Sequence, residues 1–135
     1  MDTATLHPMI VHFPIALIVT GFLFASLEMF CAKCRVSKCT LKTTTWLLSL
    51  GTLAAVAAII SGMFFATMQG SILLPNHRTM AFATLIVALV SSIAYLYYTY
   101  KSQASKPLHL ASYVLYLITV ILVSVTGHYG GLMVY

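Results

Sequence analysis

Apolar residues fall in four blocks separated by short polar stretches. The blocks run roughly over 8–30, 45–68, 77–100 and 108–128, each near the ~20 residues that an α-helix needs to cross ~30 Å of hydrocarbon. The pattern predicts an all-α integral membrane protein, a four-helix up-down bundle in which short connections force consecutive helices to lie antiparallel and adjacent. Residues 1–135 read as a single four-span transmembrane domain, because the loops are too short to hold another. The first block lacks a preceding basic residue and a small-residue cleavage site, so it reads as a retained span. Ser49, Gly51, Ala54, Ala55, Ala58, Ser61 and Gly62 in the second block would let backbones approach closely. Pro8 suits the first turn of span one, and Pro14 should bend that span. Pro75 and Pro107 precede spans three and four, and Gly127, Gly130 and Gly131 should end the last span.

Composition sharpens this picture. The chain is 61% hydrophobic and 7% charged, with a mean hydropathy of +0.99, so an aqueous catalytic domain is excluded and any chemistry must sit between the helices or at their ends. Six of the seven basic residues, Lys33, Arg35, Lys38, Lys42, Lys101 and Lys106, lie in the 31–44 and 101–107 connections. Only Arg78 falls on the other side. The positive-inside rule then puts the two basic loops in the cytoplasm and both termini outside. The net charge of +5 thereby reports topology and contact with anionic lipid, and leaves no basic patch for nucleic acid. Trp46, Tyr95, Tyr97, Tyr98 and Tyr100 crowd the inner boundary and read as an interfacial aromatic belt.

Threading the chain through four spans brings distant histidines to one level. His7 and His12 fall at the outer start of span one, His77 at the outer start of span three and His128 at the outer end of span four. His109 is the exception, at the inner start of span four. The only acids are Asp2 and Glu28, and Glu28 is expected to snorkel to the inner interface. A polar side chain in a membrane bundle is costly and faces the interior or water, which makes it a functional candidate. With no carboxylate or thiol nearby, an all-imidazole site suits haem iron, copper or zinc rather than a hard cation. Haem fits a helical bundle because apolar walls can hold the macrocycle while facing helices supply axial histidines. His7 and His12 are five residues apart and point about 140° apart on a helix of 3.6 residues per turn. They therefore suit two sites, or one binding residue and one helix cap.

Cys31, Cys34 and Cys39 form C-x2-C-x4-C in the basic connection. Arg35 stands where a covalent haem-attachment motif would need histidine. The cytoplasm would keep these thiols reduced, and unligated cysteines are the simplest reading.

At "HPMIVHFPIAL" (7–17), "NHR" (76–78) and "TGHYGGLMVY" (126–135) the chain resembles a family of small bacterial membrane proteins catalogued as domain of unknown function 2231. The resemblance covers nearly the whole chain, and its HPxxVHFP start and GxxGGxxVY finish are more specific than general apolar composition. His7, His12 and His77 map onto that pattern, as does His128 in relatives with a histidine before the glycine pair, although many members are apolar there. Some relatives look linked to cytochrome c domains and redox complexes, which implies a haem or electron-transfer setting in the bacterial inner (cytoplasmic) membrane.

The leading expectation is a b-type haem-binding electron-transfer subunit, carrying one or two haems, that passes electrons between quinone or a periplasmic carrier and a partner redox complex. His12 and His77 are the first choice of axial pair, with His7 and His128 as a second pair or as supporting groups. The alternatives are a non-catalytic accessory subunit of a larger membrane complex and a copper- or zinc-binding membrane protein. No nucleophile–base pair or phosphate loop suggests independent turnover.

Overall fold

A computed structural model describes residues 3–30, 38–65, 73–101 and 105–133. They form four helices: α1 (Thr3–Phe30), α2 (Lys38–Phe65), α3 (Leu74–Lys101) and α4 (Lys106–Leu132). All four are long and apolar enough to cross a membrane. Side-chain contacts fix the directions. Gly62 meets His7 while Gly21 meets Leu47, so α1 and α2 are antiparallel. Thr45 with Thr99 and Thr52 with Ser92 run α3 against α2, and Thr84 with Thr126 and Tyr95 with Tyr116 run α4 against α3. Helix α4 also packs on α1 and closes the ring, leaving α1 opposite α3 and α2 opposite α4.

The helices exceed the apolar blocks because polar residues also stay helical. Helix α2 begins at Lys38, about two turns before the apolar run, and α3 takes in Pro75 in its first turn. Helix α4 starts after Ser105 with Pro107 near its first position, where a missing N–H costs no ladder bond. Two expectations need correction. Pro8 is not in the first turn, since α1 starts at Thr3 and continues through both Pro8 and Pro14. Gly127, Gly130 and Gly131 do not end α4, which runs on to Leu132 and closes at Met133 in a right-handed conformation.

Many of the interior positions are small or hydroxylated, while many large apolar side chains face outward. Thr44, Thr45, Thr52, Ser61, Thr84, Ser91, Ser92, Thr99, Ser112 and Thr119 are buried, whereas Phe13, Phe30, Leu53, Phe64, Ile86 and Ile93 are exposed. In water this would be inverted. In lipid the outside is as apolar as the inside, so association comes from close packing and interhelical hydrogen bonds. Many of the threonines and serines donate to the carbonyl four residues back while meeting a hydroxyl on the next helix, as Thr45 does with Leu41 and Thr99. At mid-bundle the Tyr116 hydroxyl donates to the Ile18 carbonyl at 2.9 Å, in space left by the absent side chain of Gly21.

The aromatic belt is only half a belt. Trp46, Tyr97 and Tyr100 are exposed, as an interfacial role requires, but Tyr95 and Tyr98 are buried. Tyr95 packs edge-on against Tyr116 at 5.5 Å, and Phe22 takes both Tyr113 and Tyr116 at 5.3 and 5.5 Å. An aromatic core thus fills the half of the bundle nearer the basic loops. Glu28 does not snorkel either, because both its carboxyl oxygens are buried.

Candidate cofactor cavity

At the end of the bundle that carries both termini, the four helices part around a cavity of about 560 Å³, within the range of small-molecule and cofactor sites. Val11, Ile15, Ile59, Phe82 and Val123 give it apolar walls, and Thr84 and Thr126 reach it from the interior. His7, His12 and His77 line it, and so does Arg78. His128 does not. It is exposed, with its ring against that of the adjacent Tyr129.

Two of these histidines are held in matching ways. On α1, His7 Nδ1 lies 2.9 Å from Ser61 Oγ on α2. The single hydroxyl proton of Ser61 already goes to the Ala58 carbonyl at 2.7 Å, so Ser61 accepts and His7 Nδ1 donates. On α3, His77 Nδ1 donates to the Thr126 carbonyl of α4 at 3.1 Å. Each ring also lies against a glycine of the helix that anchors it. A methyl group at Gly62 would sit 2.9 Å from His7 Cε1, and one at Gly130 would sit 3.3 Å from His77 Cε1. Both imidazoles are thereby fixed as the Nδ1–H tautomer, which leaves the lone pair on Nε2. Helices α1 and α3 are diagonal, and the two rings lie within electrostatic reach of each other across the cavity.

His12 has the same tautomer for a more local reason, since its Nδ1 donates to the Pro8 carbonyl one turn earlier on α1. It is exposed where His7 is half-buried, as five-residue spacing dictates, yet both rings border one cavity rather than two separate sites. Among the described residues, no three histidines, cysteines or carboxylates converge closely enough to share a metal ion. Cys39 is exposed, and Cys31 and Cys34 lie outside the described residues.

The sequence model of a family described as a predicted membrane protein, DUF2231, matches residues 3–135. The chain belongs to this family. No curated protein and no solved structure is similar to it. In this DUF2231 chain, pattern reading brought His7, His12 and His77 together but missed the residues that hold them. Ser61 and Gly62 look like ordinary helix-packing residues in the sequence, and Thr126 acts through its backbone. The one available signal was a serine–glycine pair at the terminal end of a span, level with His7.

Proposed function

We propose that this protein is an electron-transfer subunit that holds a b-type haem noncovalently in the terminal cavity, with His7 and His77 as the axial ligands. The observation that carries this reading is the paired anchoring of the two Nδ1 atoms. Haem-ligating and metal-ligating histidines need an accessible Nε2 lone pair, and a carbonyl or hydroxyl acceptor on the other nitrogen fixes the tautomer, orients the ring and raises its basicity. His7 and His77 meet that requirement from opposite sides of the ring of helices. The chemistry of the walls agrees. Apolar side chains suit a macrocycle, and Arg78, the one basic residue at this end, can pair with a carboxylate of a propionate-bearing ligand.

A haem in this place supplies one-electron transfer, and the chain supplies ligand identity, apolar surroundings and orientation. That division fits a protein with two acidic side chains in all. With the basic connections in the cytoplasm, the cavity opens toward the periplasm of the bacterial inner membrane, where quinone or a periplasmic carrier could exchange electrons. His12 stands at the rim as a polar contact to the ligand, and His128 has no part in ligation.

Protein purified in detergent from haem-replete cells should show a Soret band. His7→Ala and His77→Ala should each abolish or shift it, and His128→Ala should leave it unchanged. A colourless, metal-free protein would reject the haem reading, and one that co-purifies with a neighbouring complex would point to an accessory subunit. Stoichiometric copper or zinc without haem would make it a metal-binding protein instead.

A further inference from the structure

The opposite end of the bundle holds a second group of chemistry-bearing side chains. Glu28 lies in the last turn of α1, Tyr95 and Tyr98 near the end of α3 and His109 in the first turn of α4. Both carboxyl oxygens of Glu28, the Tyr95 hydroxyl and His109 Nε2 are buried and have no hydrogen-bond partner among the described residues. Glu28 is within electrostatic reach of Tyr95 and Tyr98. The His109 ring stacks parallel on Tyr98 at 4.6 Å. Three helices therefore aim a carboxyl, a phenol and an imidazole into one interior region; the other unpartnered buried polar atoms among the described residues are the hydroxyls of Thr44, Ser49 and Ser91, which do not ionise.

We infer that Glu28, Tyr95, Tyr98 and His109 form a proton-exchange site, with Glu28 as the group that takes up and releases the proton and His109 as its link to water at the basic end. The hydrogen-bond inventory supports this. An ionised carboxylate only accepts, and the neighbouring described atoms offer it no bound donor. A neutral carboxylic acid carries no charge to compensate, so it is the form that an unpartnered interior position favours. Ionisable groups inside a membrane bundle mark proton and ion pathways more often than they serve packing. In the exchange, water protonates His109 on its outer nitrogen, Nε2 releases a proton inward, and the carboxylate becomes the neutral acid. The reverse sequence returns the proton.

Among the described residues, no lysine or arginine acts on Glu28, Tyr95 or His109. From α4 the titratable neighbours are His109, Tyr113 and Tyr116, and from α3 they are Tyr95 and Tyr98. On α2, Lys42 is exposed. The site is about as far from the terminal cavity as the bundle allows, so it stands or falls separately from haem binding.

Infrared difference spectra of the lipid-reconstituted protein across a pH titration provide the test, and they are unusually clean because Asp2 is the only other acidic side chain. The expected result is a protonated-carboxyl band that fades reversibly as pH rises and is missing from Glu28→Gln. The band should shift quickly on transfer to D2O in the wild type. In His109→Phe, which keeps a ring stacked on Tyr98, the shift should be several-fold slower. An ionised Glu28 at every pH at which the protein stays folded would overturn the proposal, as would a band that never responds to pH. Loss of the band on adding sodium at constant pH would make this a cation site instead. An unchanged exchange rate in His109→Phe would remove His109 from the path.

Discussion

At His7 the tautomer is set by a neighbour's hydrogen-bond arithmetic, whereas at His77 a backbone carbonyl, which can only accept, sets it directly. Ser61 has one proton and gives it to Ala58, and that single fact decides which imidazole nitrogen carries hydrogen. Gly62 is the other half of the arrangement, because its missing side chain lets the His7 ring come close against α2. Gly62→Ala should therefore push the ring off Ser61 and weaken ligand binding in the cavity about tenfold or more, equivalent to about 1.4 kcal/mol, with the helical content unchanged by circular dichroism. Gly21 makes the same kind of contact in the core, where an added methyl would collide with the Tyr116 hydroxyl and lie 2.9 Å from Leu47 Cβ. Gly21→Ala should cost about 1–3 kcal/mol. Tyr116→Phe removes the colliding oxygen and one interhelical bond worth about 0.6 kcal/mol in a membrane, so the double variant should lose less than the two single losses added together. Unfolding titrations in mixed micelles would read that coupling. None of these contacts can be read from local sequence, since a glycine facing a tyrosine on another helix looks like any other small residue.

Helix α4 shows how an element can be legible in kind and misjudged in extent. Its three late glycines suggest a frayed end, yet the helix passes through all of them to Leu132. The reason lies at Gly130, which is kept small by the His77 ring rather than by a turn. Gly131 faces open space. The two should respond oppositely to alanine: Gly131→Ala should be neutral or stabilise by about 0.5–1 kcal/mol, because glycine is the poorer helix former, and Gly130→Ala should displace His77 and lower ligand occupancy. Thermal melts paired with absorption spectra would separate the two effects. Helix α3 gives a parallel case, where Tyr95, Tyr97, Tyr98 and Tyr100 share a composition but not a role. A rotation of about 100° per residue sends Tyr95 and Tyr98 into the core and Tyr97 and Tyr100 outward.

Across the whole molecule, charge is polarised along the bundle: Lys42, Lys101 and Lys106 are exposed at one end and Arg78 lies at the cavity end. If the positive-inside rule governs insertion, Cys39 faces the cytoplasm and Thr79 the periplasm. In a Cys31→Ser, Cys34→Ser background, a membrane-impermeant maleimide should label Cys39 only after the cells are permeabilised. A Thr79→Cys variant also lacking Cys39 should be labelled on intact cells. The opposite result would place the cavity in the cytoplasm and rule out a periplasmic electron carrier.

The sequence by itself determined that there are four spans, that they alternate in direction and that the histidines of spans one and three share a level, because bilayer thickness and short connections leave few alternatives. The rotation of each helix was decided only by the tertiary structure. Hydropathy carries almost no record of it, since lipid and bundle interior are nearly equally apolar, and the inward face is marked by glycine, serine and threonine whose partners lie on other helices. That rotation put His7 against Ser61, left His12 at the rim and His128 outside, and turned Glu28 inward toward Tyr95 instead of out to the interface.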